Sequence, residues 1–485
     1  MNGRKVWSLT VVALLMGGTL LGGAPLLGGC RGSAFAGVVT GDVAWGEDEA
    51  APLIGAPRSR EGGATEPTLR PRHVAALGSL DDEQLRDPDT LGALLGQRRL
   101  EEASVAVRLC CADLAPSVTA ALATDDWRSL RALAHERLSS PALAAGRADD
   151  HEAAQARLLA RLHAVAILQD DEIVQPVAEP LDALDAWSTA VVLNAGSSVL
   201  FRLRDTDGGL WVFKPEQSIR HTNYRGEIAS WRVAELLELN LHVPESREVV
   251  VRESWWEALT GRHDVAHTRS RLSVPTWTTG DDGERRLHGM LKPWVDGMAR
   301  FPIERTGSWS PWLSGERPLD EIRTRSALEL MAGFTPDSEE QRTRYTRALQ
   351  GVPAMELLHQ LSDLHVFDYL TNNWDRYQPE RFGLNCHVRA GRVVALDNGA
   401  TFLPAAAFSD RSTAWRLRRI RHFSASTVAH LRALDTELAR DILFPGNRPD
   451  EREAFDAMLE RRDAMLAHVD RLIARHGEEA VLTFP

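Results

Sequence analysis

Lys5, Lys214 and Lys292 are the only lysines in a chain that carries 56 Lys and Arg residues in total. Where arginine fills almost every cationic position, two lysines kept in the body of the chain, each followed by proline, mark places where a wide planar guanidinium does not fit. A compact ammonium can sit between phosphate oxygens, and Lys214 stands at the end of a stretch with strand character, where such a charge can face a ligand. Compositional drift toward arginine is the plain alternative. Glu227 follows early in a helical run. A helix carboxylate paired to a strand lysine fixes the ammonium and keeps it charged. Glu235, two turns further on, offers a similar face, and a solvated helix surface would explain either residue.

A second group lies downstream. The segment Phe367-Asp-Tyr-Leu-Thr-Asn-Asn-Trp-Asp-Arg reads as a helix end followed by a loop that carries Asp375. Asn385 precedes a short strand, and the run Gly391-Arg-Val-Val-Ala-Leu-Asp-Asn-Gly delivers Asp397 at the end of a second one. A carboxylate on the first loop can orient or deprotonate an attacking hydroxyl. Asp397 can hold a metal ion that neutralises phosphates, and Asn385 can add an amide oxygen to it. Any one of these residues alone would be read as a turn or cap. Upstream, Asn194-Ala-Gly-Ser-Ser offers Gly196 and Ser197 as backbone donors to a phosphate, although a plain hairpin explains one glycine nearly as well.

The elements that must position these residues are legible in outline. Ala190–Leu203 reads as strand, glycine turn, strand. Asp205-Thr-Asp-Gly-Gly is a hairpin turn, Leu210-Trp-Val-Phe-Lys-Pro a third strand, residues 225–239 a helix, and residues 246–251 another strand. Mostly helical sequence follows. Residues 76–187, rich in Ala, Leu and Arg, predict a helical region of unknown role ahead of a domain over residues 188–485. Residues 254–320 hold Trp255, Trp256, Trp277, Trp294, Trp309 and Trp312 and are expected to pack as an aromatic insertion. The fold class expected is α+β.

The first residues carry a different signal. Arg4 and Lys5 precede an apolar run from Val6 to Leu27, which closes on Leu27-Gly-Gly-Cys. Small residues before a cysteine fit a lipobox: residues 1–29 are expected to be a lipoprotein signal peptide, with Cys30 free to take a diacylglycerol. Residues 30–75, rich in Gly, Ala and Pro, read as a flexible tether. A lipid-anchored place in the bacterial cell envelope follows, on the outer membrane or its periplasmic face. With Cys30 acylated, Cys110, Cys111 and Cys386 remain of four cysteines, an odd number that gives no disulfide framework. The net charge of −12 argues against nucleic-acid binding, which needs a basic face.

Phe213-Lys-Pro, Arg225-Gly-Glu-Ile-Ala-Ser-Trp-Arg, the Asp375 segment and Leu396-Asp-Asn-Gly-Ala-Thr-Phe together resemble the atypical kinases related to the secretory-pathway (Golgi casein) kinases. HipA-type and phosphoinositide kinases are more distant relatives. The resemblance spans roughly residues 190–440 and implies a bilobal kinase fold, with a β-rich N-lobe and a mostly helical C-lobe. It implies ATP or another nucleoside triphosphate as donor and Mg or Mn as metal. Lys214 and Glu227 become the nucleotide-phosphate pair, Asp375 the catalytic carboxylate, and Asp397 the metal ligand. The implied acceptor is a hydroxyl, most naturally on a protein; a lipid or small-molecule kinase, a nucleotide-binding pseudokinase and a structural envelope lipoprotein stay open beside it. The chain departs from the family at Tyr377, where a histidine is usual, in its glycine loop, and in having no disulfide framework.

Overall fold

A computed structural model of the chain describes residues 51–52, 94, 103, 107, 111–170, 173–174, 178–181, 187–193, 198–217, 222–261, 277–280, 282–334, 336, 338–377, 385–403 and 411–485. Cys30, Gly196 and Ser197 lie outside them.

The Ala-rich region forms helices α1 (Ala115–Ala123), α2 (Trp127–Leu138) and α3 (Asp150–Gln169). Asp126 caps α2 by accepting from the Ser129 N–H, and Asp149 with Glu152 makes a reciprocal capping box on α3, so orphan donors at both helix starts are satisfied. Val118, Leu122, Leu130, Leu138, Leu158 and Leu162 recur at helical spacing and bury a core of their own.

Five strands build the main sheet: β1 (Trp187–Leu193), β2 (Leu200–Asp205), β3 (Leu210–Pro215), β4 (Arg247–Arg252) and β5 (Arg285–Pro293). They pair antiparallel in the order β1-β2-β3-β5-β4, and shorter strands extend the sheet. The latest strand in sequence therefore sits second from the edge of this set, between β3 and β4, a placement that residues 254–320 did not reveal as sequence. One sheet face carries Phe201, Phe213, Val249, Val251, Leu287 and Leu291, packed with Trp256. Because side chains alternate along a strand, Lys214, Met290 and Lys292 stand on the other face.

Helix α4 (Tyr224–Leu236) lies against that second face, with Tyr224 and Ile228 on Met290. Its N-terminus is capped by Asn223, whose side chain accepts from the Arg225 N–H. A Cβ on Gly226 would lie 2.7 Å from Thr401 Oγ1 and 2.9 Å from Thr401 O, so glycine is what lets the helix approach the loop after Asp397.

The rest is mainly helical, built around α5 (Ala354–Thr371), in which every residue from Leu357 to Thr371 is buried. A helix enclosed on all sides forms the axis of a core rather than a surface. It stops at Asn372 in the left-handed conformation, φ 55°. A hairpin of β6 (Cys386–Arg389) and β7 (Arg392–Ala395) turns at Ala390 and Gly391, both at positive φ. Helices α6 (Arg411–Leu417), α7 (Ala425–Ala433) and α8 (Pro449–His476) close around α5. Trp309 and Trp312 are buried in the large core, the aromatic packing expected of that insertion. Cys111 and Cys386 are buried. Among the described residues no helix is long and apolar enough to cross a membrane.

Candidate functional site

Lys214 comes from β3, Glu227 from the first turn of α4, and Asp397 from the end of the β6–β7 hairpin. Lys214 Nζ lies 2.8 Å from Glu227 Oε1 and 2.9 Å from Asp397 Oδ1. The lysine and the glutamate are 1% and 2% exposed, while the Asp397 side chain is 47% exposed; the pair forms the floor of the site and Asp397 its open side. Burial pushes the Lys214 ammonium down, but the Asp397 and Glu227 carboxylates outweigh it and hold it above its ordinary value. Burial likewise pulls Glu227 up, and Lys214, Lys292 and the Asn398 N–H overcome it, leaving the carboxyl well below the usual range.

Lys292, the other lysine singled out by the sequence, meets the same carboxylate. Its Nζ lies 3.2 Å from Glu227 Oε2, which also accepts from the Asn398 N–H at 3.1 Å. Glu235, the alternative partner for Lys214, instead pairs with Arg131 of α2 at 2.8 Å. Gly399 has a spatial reason: a Cβ there would lie 2.6 Å from Lys214 Nζ.

Asp397 itself holds φ 49°, ψ 64°, a left-handed conformation that costs a non-glycine residue on the order of 1 kcal/mol. Such strain persists only when the surroundings impose it. Arg376 is one of the groups that hold the loop here. This wholly buried side chain binds both Asp368 oxygens through Nε, donates to the carbonyls of Asn385 and Leu396, and reaches Asn398 Oδ1 at 2.6 Å. Helix α5, the start of β6 and the loop bearing Asp397 are thus tied to one guanidinium. The sequence reading gave Arg376 no role. The available signal was Asp368, a carboxylate near the end of the buried helix, eight residues before an arginine.

Asp375 opens a single 3₁₀ turn, Asp375–Tyr377, beside this clamp. Its Oδ2 accepts from Asn385 Nδ2 at 3.1 Å, so the structure joins two of the expected site residues directly. Tyr377 is buried, its ring 5.4 Å from that of His365 and beneath the Arg416 guanidinium at 4.0 Å. At this position the chain uses its side chain for packing. Gly196 and Ser197 fall outside the described residues, and so does the phosphate loop they would make.

Among the described residues no three or more His, Cys, Asp or Glu side chains gather as a metal centre. An exposed carboxylate and an amide oxygen do suit a hard divalent ion that takes its remaining ligands from phosphate and water, as Mg²⁺ commonly does.

No family model matches the chain, and no curated protein matches it. Among solved structures it is similar to the crystal structure of the Golgi casein kinase, with 15% identity, a TM-score of 0.38, and coverage of 69% of this chain and 80% of that one. It is also similar to the Golgi casein kinase with Mn/ADP bound, with 16% identity, a TM-score of 0.35, and coverage of 63% and 75%.

Proposed function

We propose that residues 188–485 form a two-lobed kinase-like domain that moves the γ-phosphoryl group of a nucleoside triphosphate, ATP in the first instance, to a hydroxyl acceptor, with protein Ser or Thr as the acceptor class. The observation that carries this reading is the meeting of Lys214, Glu227 and Asp397. A buried cation from the sheet is held by a helix carboxylate and faces an exposed carboxylate from a hairpin, beside a second loop that presents Asp375. Sheet, helix and hairpin contribute one charged group each to a single cleft, as polyphosphate binding requires.

In this reading Lys214 neutralises phosphate oxygens, and Glu227 keeps it charged and in place. Asp397 and Asn385 hold a Mg or Mn ion, which supplies charge neutralisation on the transferring phosphoryl group. Asp375 accepts the proton of the acceptor hydroxyl as its oxygen attacks phosphorus and the bond to the nucleoside diphosphate breaks. Asn385 orients Asp375 through its amide N–H. The helical region over residues 76–187 precedes this domain, and a diacylglycerol on Cys30 tethers it to the bacterial envelope.

The test is calorimetric titration of the chain with ATP in Mn²⁺ or Mg²⁺, paired with transfer of label from γ-labelled ATP to envelope extract. Saturable metal-dependent binding with labelled acceptor is expected. Binding without transfer would make the domain a nucleotide-binding module; no binding would end the reading.

A further inference from the structure

Glu227 is contacted by two ammonium groups where its charge calls for one. Its Oε1 is taken by Lys214 and its Oε2 by the Asn398 N–H, yet Lys292 also approaches Oε2 at 3.2 Å. We propose that Lys292 is a phosphate-binding residue of the cleft in its own right, contacting the polyphosphate chain alongside Lys214. This rests on the nucleotide reading above.

Four observations carry it. The β3–β5 register pairs Val212 with Lys292 and Lys214 with Met290, so the two lysines are diagonal neighbours on one sheet face and their ammonium groups converge. Among the described residues Glu227 is the one hydrogen-bond partner of Lys292. An ammonium has three donors, so two remain for a ligand. The Lys292 side chain is 12% exposed against 1% for Lys214; an anion entering past Asp397 meets Lys292 on the way to the floor. Finally, charge agrees with it: with Lys214 alone, the Glu227, Asp397 and Asp375 carboxylates would outnumber the ammonium groups three to one, and Lys292 adds a second cation to meet the phosphates.

The choice of lysine agrees with this. Its neighbours on β5, Arg285 and Arg286, point to the surface and pair with Glu253 and Asp282, so arginine serves on the same strand wherever the partner is an exposed carboxylate. The lysine falls where the strand enters the cleft, and a compact point charge fits beside a second cation.

The experiment titrates wild type, Lys292→Met and Lys292→Gln with Mn²⁺–ATP and with adenosine as competitor, and records the melting curve of each unliganded protein. Loss of one charged contact predicts ATP affinity weakened by about tenfold or more. Adenosine affinity should stay within about twofold and melting should stay near that of wild type, because the change spares the base site and the fold. ATP affinity within about twofold of wild type in both variants overturns the assignment. So does an equal loss for ATP and adenosine, or a collapse in melting temperature in both variants, since Lys292 would then act through Glu227 and the fold. If wild type itself fails to bind Mn²⁺–ATP, the nucleotide reading falls and takes this inference with it; if wild type binds and the variants bind equally, only the role of Lys292 falls.

Discussion

Arg376 and Asp368 form a fully enclosed ion pair, with the guanidinium Nε 2.9 and 2.8 Å from the two carboxylate oxygens and the side chains 0% and 1% exposed. Burial raises the Asp368 carboxyl, and Arg376 opposes that rise. Removing the arginine would strand a buried carboxylate and free Asn398, Asn385 and Leu396 together. Arg376→Ala should cost about 3–5 kcal/mol, the range for breaking a buried pair. Arg376→Lys should recover little of it, because one ammonium cannot reach five acceptor atoms on four residues. Denaturant unfolding of the three proteins measures this. Wild-type stability in Arg376→Ala would show that the Asp375 and Asp397 loops are held by something else.

Lys214→Arg should damage nucleotide binding nearly as much as Lys214→Ala. The ammonium is wedged so closely that even a Cβ on Gly399 would lie 2.6 Å from it, and a guanidinium is wider. The same crowding makes Gly399→Ala a test from the opposite side. The methyl group must displace the lysine or the loop, at a cost of roughly 1–3 kcal/mol for overpacking, with ATP binding lost while Lys214 is unchanged. Calorimetry on Lys214→Arg and Gly399→Ala checks both, and near-normal affinity in either would remove the steric argument.

Local pattern was enough to find β3, because Trp211-Val-Phe-Lys alternates between two faces, and the β6–β7 hairpin, because Ala390-Gly391 is a turn between two short apolar runs. The scarcity of lysine over the whole chain was enough to single out Lys214 and Lys292. What stayed hidden depends on long-range contact. Strand β5 enters the sheet between β3 and β4, and nothing local in Arg285–Pro293 states which strands it joins. Glu227 and Glu235 occupy similar helix faces, and only Arg131, from a helix far earlier in the chain, assigns Glu235 elsewhere. Arg376 is one arginine among dozens until its burial against Asp368 is seen. The near-complete burial of Lys214, which the strand pattern alone does not state, comes from α4 and the Asp397 loop, whose carboxylates hold its ammonium.

Stability should fall on mild acidification, and His430 should account for a measurable part of the loss. It lies where α2, α3 and α7 meet: His135 Nδ1 is 3.0 Å from its Nε2, and the His163 ring centroid is 5.2 Å away. Glu238 and Arg131 stand behind His163. Burial, then the two neighbouring histidines, push His430 down to about 3. Its unfolded value is about 6.5. Between those limits the unfolded chain binds a proton that the fold refuses, so stability is present at neutral pH and declines as pH falls below about 6.5, by roughly 1.4 kcal/mol per pH unit for one such group. His365 and His387, each pushed by burial to about 4, act with the same sign. Melting temperatures at about pH 7 and about pH 5 should diverge less in His430→Gln than in wild type. An identical pH slope would mean that His430 does not couple to folding.

Cys30→Ser should release the chain from membranes and abolish metabolic labelling with fatty acid. A cysteine carrying several acyl chains anchors stably, whereas one chain binds only reversibly. Retention of the serine variant on membranes after a high-salt wash would contradict the anchor.

Asp375 and Asp397 should fail in different ways. Asp397 is the exposed carboxylate that touches Lys214 at 2.9 Å, so it belongs with the phosphates and their metal. Asp397→Ala should weaken metal-dependent nucleotide binding itself. Asp375 touches Asn385 at 3.1 Å, not the lysine pair, and is assigned to the acceptor hydroxyl. Asp375→Ala should leave nucleotide affinity nearly intact and slow transfer by about 10²-fold or more, the usual loss for a positioned acid–base group. Titration of ATP with Mn²⁺, a transfer assay and a melting curve on both variants separate the roles. A structural role for Asp375 would lower its melting temperature together with its rate. The reverse result, in which Asp375→Ala abolishes nucleotide binding and Asp397→Ala preserves it, would exchange the two carboxylates and undo the kinase-like reading of the hairpin.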